Sequence, residues 1–221
     1  MFPDYHRRSA PSVVPGDLSS AAFPLVAAAL AAGSSVRLDG VGINSLRTGL
    51  LDCLQEMGAR LRIEAHPVPG QEPVADLLIE AGPLRAIDVP PERAPRMIDE
   101  YPILAVAAAC AAGRTRMSGL AELRVKESDR LRAIAEGLSA CGVTVEVEPD
   151  ELVVHGHGGP PPGGARIEAH HDHRIAMSFL VLGAVAEAPV TVTGAETIET
   201  SFPAFAALMN RLGARIEPVS T

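Results

Sequence analysis

Ala21-Ala22-Phe23-Pro24-Leu25-Val26-Ala27-Ala28-Ala29-Leu30-Ala31-Ala32-Gly33 has no polar face, and two later stretches are built the same way: Pro102-Ile103-Leu104-Ala105-Val106-Ala107-Ala108-Ala109-Cys110-Ala111-Ala112-Gly113 and Ile175-Ala176-Met177-Ser178-Phe179-Leu180-Val181-Leu182-Gly183-Ala184-Val185-Ala186. A helix that is apolar all round must be covered on every side. Each stretch falls short of the ~20 residues that cross a bilayer, so each reads as a helix buried in protein. A short alternating strand follows each one, at Ser35–Leu38, Thr115–Ser118 and Val190–Thr193, closed by Gly40, Gly119 and Gly194. An amphipathic helix comes next and ends in a glycine, Gly58, Gly142 or Gly213, the residue suited to a left-handed C-cap. New strands leave from those caps at Arg60–Glu64, Thr144–Glu148 and Arg215–Glu217.

The chain is therefore a threefold repeat of strand, helix, strand, helix, strand, with room for one strand more. Three helices too apolar to face water are satisfied together if they turn toward a shared centre with the sheets outside. The expected architecture is an inside-out α/β barrel-like domain of three repeated βαβαβ(β) units around buried helices, with repeats over about 14–80, 84–155 and 165–219. Residues 1–13 are expected to be an irregular N-terminal segment ahead of a domain spanning 14–221. The turn-rich stretches Ala65–Gly70 and His155–Gly164 read as surface loops.

Composition narrows the function. The chain has 221 residues, 47% of them hydrophobic, and a formal net charge of −8, so nucleic acid held by bulk positive charge is excluded as a partner. Any anion has to be captured locally. Cys53, Cys110 and Cys141 stand singly in apolar helical patterns, which reads as reduced, buried thiols and a cytoplasmic location without a disulfide framework. The first residues lack the apolar core of a secretory signal, and no membrane association is expected.

Local capture has a candidate in Leu123-Arg124-Val125-Lys126-Glu127-Ser128-Asp129-Arg130-Leu131-Arg132, where a polar loop becomes a helix with apolar positions Leu131, Ile134, Ala135 and Leu138. The spacing puts Lys126 and Glu127 near the first turn and Arg130 one turn on. The helix dipole disfavours a cation there, so either an anionic ligand wants it or a solvated face of ion pairs holds it. Just ahead of the three apolar helices stand Asp17, Asp99 and Asp172, each expected as an N-cap. Parallel helices would open their N-termini at one end, where Lys126, Arg130 and Arg174 complete a cradle for phosphate or carboxylate. Asp99, facing those cations, stays ionised and can accept a proton, and Glu127 offers a second carboxyl for the opposite transfer.

Four motifs carry a resemblance: Leu123–Leu131, Asp172-His173-Arg174-Ile175-Ala176-Met177-Ser178, Pro15-Gly16-Asp17-Leu18-Ser19-Ser20-Ala21-Ala22-Phe23 and Met97-Ile98-Asp99-Glu100. In that order they resemble the C-terminal half of the 3-phosphoshikimate 1-carboxyvinyltransferase (EPSP synthase) family, from about Val14 to Pro218. The resemblance implies an enolpyruvyl transferase that moves the enolpyruvyl group of phosphoenolpyruvate to the 5-hydroxyl of shikimate 3-phosphate with phosphate release, in the shikimate pathway to aromatic amino acids, with no cofactor and no metal. It makes Asp99 the base on the 5-hydroxyl and a ligand of shikimate 3-phosphate. Lys126 becomes a second ligand of shikimate 3-phosphate that shares in proton transfer, Glu127 the acid that protonates the phosphoenolpyruvate methylene, and Arg130 and Arg174 the grip on phosphoenolpyruvate. Glu122 and Thr200 stand where many members of the family have Asn and Lys, and receive no binding role. The family enzyme has two similar domains that close over the substrates. The chain is thus expected to be a half-enzyme, nearly inactive without a complementary N-terminal domain.

Three other readings stay open on the sequence. A sister family transfers enolpyruvyl to UDP-N-acetylglucosamine on the same fold, although Lys126-Glu127-Ser128-Asp129-Arg130 is not its signature. A non-catalytic domain could bind an anion or a partner through the face that the other half closes. His155, His157, His170, His171 and His173 cluster in sequence as a metal set would.

Overall fold

A computed structural model describes residues 14–66 and 72–219; the irregular segment expected at 1–13 and residues 67–70 of the first expected loop lie outside them. The first unit contains α1 (Leu18–Leu30), β1 (Ser35–Gly42), α2 (Gly49–Glu56), β2 (Arg60–His66) and β3 (Val74–Glu80). The second contains β4 (Asp88–Val89), α3 (Tyr101–Cys110), β5 (Ala112–Ser118), α4 (Arg130–Ala140), β6 (Thr144–Glu148) and β7 (Glu151–His157). The third contains β8 (Arg166–Glu168), α5 (His173–Val185), β9 (Thr191–Thr193), α6 (Ile198–Ser201) and α7 (Phe205–Arg211).

The apolar helices α1, α3 and α5 pack on one another, and every residue of α3 is buried. Alanines let the helix axes approach, while Leu25, Val26, Leu104, Phe179 and Leu182, each at most 1% exposed, fill the centre. Burial of side chains of this size contributes roughly 1.5–3 kcal/mol each. The C-terminal turns of α1 and α5 line one small cavity through Ala27, Ala28, Ala31, Ala184 and Val185, so these two helices run the same way. The enclosure is incomplete at that end, where Ala184 is exposed.

The sheets lie outside this helix core. Their strand orders are β1-β3-β2, β4-β5-β7-β6 and β8-β9. In the second unit β4 runs parallel to β5 and in the third β8 parallel to β9, with Ser118 opposite Glu151 starting the antiparallel β5–β7 ladder. Among the described residues, the first unit shows a trace of the leading strand, a parallel bridge from Gly16 to Val41. The capping glycines Gly58, Gly142 and Gly213 all have positive φ, as their place after an amphipathic helix requires.

Four sequence expectations change. Gly40 does not close its strand: β1 runs on through it to Gly42, with a register shift between Leu38 and Val41. Arg215–Glu217 is not a strand, because among the described residues the third sheet consists of β8 and β9 and offers it no ladder. Ala65 and His66 finish β2, and His155-Gly156-His157 finishes β7, paired with Ala112–Arg114 of β5 instead of forming loops. Gly156 is in the strand for want of space. A Cβ there would stand 2.1 Å from the carbonyl oxygen of Ala111 and 2.3 Å from that of Ala108, so the glycine lets β7 lie directly on the end of α3.

Candidate active site

The N-termini of the three inner helices meet. Asp17 caps α1, its Oδ2 accepting the Ser20 N–H at 2.8 Å, and Asp172 caps α5, accepting the N–H groups of Arg174 and Ile175. Asp99 does not cap α3. It lies in a 3-10 turn, Ile98–Glu100, and Glu100 is the residue that precedes the helix, without a side-chain cap bond. Pro102 in the first helical turn has no N–H to cap, which frees the Asp99 side chain to point elsewhere.

The loop before α4 also differs from its reading. Asp129 is the cap, accepting the Arg132 N–H at 3.0 Å, and Arg130 is the first helical residue. Lys126 and Glu127 precede the helix in extended and bent backbone. Their position is set by a 3-10 turn, Ala121–Val125, anchored by buried Leu123 and by Arg124, whose guanidinium donates to the carbonyls of Pro149 and Glu148.

Arg130 is the centre. Its side chain is 1% exposed, and three carboxylates from three parts of the chain surround it. Nε donates to Asp172 Oδ2 at 2.7 Å, Nη1 to Asp99 Oδ1 at 2.9 Å, and Nη2 to Glu127. Asp172 is itself fully buried and also accepts the Ser128 hydroxyl at 3.0 Å. Burial drives the Asp172 carboxyl up, but the hydrogen bond and charge of Arg130 more than reverse this and leave it below the usual aspartate range. This pair is the fixed floor of the site.

Unlike that pair, Asp99 lies where the site opens to solvent, its side chain 37% exposed. Besides Arg130 it has Lys126 Nζ at 3.5 Å and Arg174 Nη2 at 3.7 Å. Burial raises its carboxyl, and the charges of Arg174, Lys126 and Arg130 together hold it below the ordinary value, so it is an anion near neutral pH. Lys126 also donates to Glu122 at 2.6 Å, and that bond keeps its ammonium protonated. Glu127, with a side chain 53% exposed, is the least confined member of the set.

All five residues singled out in the sequence, Asp99, Lys126, Glu127, Arg130 and Arg174, are thus brought together. The expected cradle is not a set of free cations, however. Each of the three is already engaged by carboxylate, and the acids Asp99, Glu100, Glu122, Glu127 and Asp172 outnumber them. At Lys126 and Arg130 an incoming anion has to displace a carboxylate; the Nη2 end of Arg174, 3.7 Å from Asp99, is left without a hydrogen bond to an acid among the described residues.

Four participants had no assigned role. Glu100, 6% exposed, accepts the Arg174 Nη1 donor at 3.3 Å and the Ser19 hydroxyl at 2.5 Å. Arg47 Nη2 donates to Ser19 Oγ at 3.0 Å and to Asp17 Oδ1 at 3.1 Å. Ser128 supports Asp172. Glu100 beside Asp99, and Ser19 beside a cap, were legible as polar residues at the start of apolar helices, whereas nothing in the sequence places Arg47 there.

The histidines do not assemble. His155 pairs with Glu146 across β6 and β7, His157 meets the Gly142 carbonyl, and His171 meets Glu196. Among the described residues no group of three or more His, Cys, Asp or Glu side chains has metal-binding geometry. Cys53, Cys110 and Cys141 are buried free thiols.

Fold and site together define an inside-out α/β domain with carboxylates and cations gathered at the joined N-termini of its helix core. The family model described as EPSP synthase (3-phosphoshikimate 1-carboxyvinyltransferase) matches residues 3–209, and the chain belongs to that family. Relatives named 3-phosphoshikimate 1-carboxyvinyltransferase include one from Paramagnetospirillum magneticum, 60% identical over 97% of this chain and 48% of its own length. Another, from Granulibacter bethesdensis, is 61% identical over 94% of this chain and 46% of its own. An EPSP synthase structure from Acinetobacter baumannii superimposes with a TM-score of 0.89 at 47% identity, covering 92% of this chain and 47% of that one. The enolpyruvyl transferase NikO from Streptomyces tendae, at 22% identity and a TM-score of 0.71, shares the fold. The chain spans about half the length of the curated relatives it matches.

Proposed function

We propose that this chain is the half of an enolpyruvyl transferase that supplies the acid and base, acting on phosphoenolpyruvate and shikimate 3-phosphate once a complementary domain closes over it. The observation that carries this reading is the meeting of Asp99 with Lys126, Arg130 and Arg174 within 3.7 Å at the joined helix ends. Addition of an alcohol across the double bond of an enol phosphate needs one group to remove a proton and one to deliver it, with cations to hold phosphate.

In this reading Asp99, ionised and facing the opening, takes the proton of the 5-hydroxyl as that oxygen bonds to C2 of phosphoenolpyruvate. Glu127 delivers a proton to the methylene carbon. The C–O bond to phosphate then breaks as the methyl group returns a proton to Glu127, and phosphate takes up the proton held by Asp99 and leaves against Arg130 and Arg174. Guanidinium suits this task because it meets a carboxylate or phosphate with two parallel N–H groups. Lys126, protonated and beside Asp99, holds shikimate 3-phosphate and can donate but not remove a proton. Arg130 keeps its Nε edge on Asp172 throughout, so only its Nη ends change partner. The domain of residues 14–221, its three repeats, a cytoplasmic location and independence of metal or cofactor belong to the same proposal; no helix among the described residues is long and apolar enough to cross a membrane.

The test is phosphate release from phosphoenolpyruvate plus shikimate 3-phosphate, by this chain alone and with a folded N-terminal half of a relative added. Activity only in the mixture, lost in Asp99→Ala and in Lys126→Ala, is the expected result. No activity in any mixture favours the non-catalytic reading of an anion- or partner-binding domain.

A further inference from the structure

Arg174 has two acids within reach and is held by the one that the reaction does not need. Its Nη1 donates to Glu100 Oε1 at 3.3 Å and to the backbone oxygen of Asp99 at 3.1 Å, while its Nη2 stays 3.7 Å from the Asp99 carboxylate, beyond hydrogen-bonding distance. Glu100 is 6% exposed, and the same Oε1 that accepts from Arg174 also accepts the Ser19 hydroxyl, which Arg47 in turn engages. The chain of contacts Arg47–Ser19–Glu100–Arg174 therefore ties the starts of α1, α3 and α5 together behind the Asp99 carboxylate.

We propose that Glu100 is a positioning residue that holds Arg174 off Asp99, keeping the carboxylate available to a proton and the Nη2 edge of the guanidinium available to an anion. A guanidinium and a carboxylate free to choose close to a bidentate pair, and closing here would cover both groups at once. The tether to Glu100 and to the Asp99 backbone stops that closure short. Sequence adjacency makes this possible: Asp99 and Glu100 sit side by side in one 3-10 turn, so the same turn presents one acid to the opening and buries the other. The proposal rests on the reading of Asp99 as a base for its consequence, but its geometry stands on the contacts alone.

The experiment is carbon-detected NMR of the carboxyl titration of Asp99, with the Arg174 Nε–Hε resonance, in the full chain and in Glu100→Gln and Glu100→Ala. Glu100→Gln removes the charge and retains the acceptor, so Asp99 should titrate slightly lower while the Arg174 signal stays sharp and slow to exchange with water. Glu100→Ala should move the Asp99 midpoint further down than Glu100→Gln does, as Arg174 closes on it, and shift the Arg174 signal. Equal midpoints and an unchanged Arg174 signal in the two variants would overturn the proposal, since charge alone would then account for the effect. Ser19→Ala, which loosens Glu100 without emptying its site, should give a smaller change in the same direction, and carries the test if Glu100→Ala does not fold. Absence of phosphate release in the mixed-half assay, with these NMR differences intact, would count against the function and not against the positioning role.

Discussion

A single residue decides whether the site exists. Arg130 is a charge enclosed at 1% exposure, and the Asp172 carboxylate beneath it is enclosed completely, so neither is tolerable without the other. Asp172→Asn keeps an oxygen to cap α5 but leaves the guanidinium short of its buried partner. Removing one member of a buried pair typically costs about 3–5 kcal/mol. Asp99 and Glu127 still face Arg130, so a loss near the lower end, about 3 kcal/mol, is expected from denaturant unfolding. The same acids set the response to pH. Asp17, Asp99 and Asp172 all titrate lower in the folded chain than their ordinary value of 3.8, so the stability they contribute is fully present above that value and is lost as pH falls through the folded pKa values. Glu100, raised by burial, works the opposite way: its cost is relieved as pH falls through its folded pKa toward 4.5, before the decline set by the aspartates begins. Unfolding followed from pH 7 to pH 2 should show stability declining below about pH 4, and Asp172→Asn should flatten that decline; a curve unchanged by the substitution would contradict the assignment.

At the scale of elements, packing is set by the places where a side chain is missing. Gly137 of α4 faces the ring of Phe179 of α5, and a Cβ there would stand 2.1 Å from the ring's Cζ. Alanine gains up to about 1 kcal/mol of helix propensity, but overpacking of this kind costs roughly 1–3 kcal/mol, so Gly137→Ala should be destabilising by about 1–2 kcal/mol. Gly156→Ala should be worse. The ring of Phe179 can turn, whereas the carbonyl oxygens of Ala108 and Ala111 belong to backbone at the end of α3. A loss of about 3 kcal/mol or more is expected, and at roughly 2–4 °C per kcal/mol for a chain of this size the melting temperature should drop by about 6 °C or more. Thermal melts of the two variants side by side check the order. If Gly156→Ala melts higher than Gly137→Ala, β7 does not lie on α3 as described. The sequence hid this contact because Gly156 stands among glycines and prolines that read as a turn; only the partner strand β5 reveals that it belongs to a ladder.

For the whole molecule, the legible part was what repeats. Three helices without a polar face, each followed by a strand and a glycine-capped helix, require a buried centre, and the inside-out arrangement follows from them. The end of the third unit was not legible, since whether Arg215–Glu217 pairs depends on a neighbour that the third sheet lacks among the described residues. The five site residues were legible as residue types near helix starts. Their mutual engagement was not, because the bonds from Arg130 to Asp99 and Asp172 join positions 31 and 42 residues apart. What remains exposed is also informative at this scale. Leu46 and Val125 are 71% and 79% exposed, one next to Arg47 and the other next to Lys126, so two bare apolar side chains flank the same end of the domain that carries the acids and cations. Relatives are about twice as long as this chain, and a second domain closing over that end would cover both side chains and exclude water from the site. Leu46→Asp and Val125→Asp, neither of which touches the core, should leave the melting temperature of this chain within about 1–2 °C, because surface changes usually stay within ±0.5 kcal/mol. In the mixed-half assay both should raise the concentration of N-terminal half needed for half-maximal phosphate release, since each buries a charge without a partner at the joint. Unchanged concentrations in both variants would mean that the added half seats elsewhere.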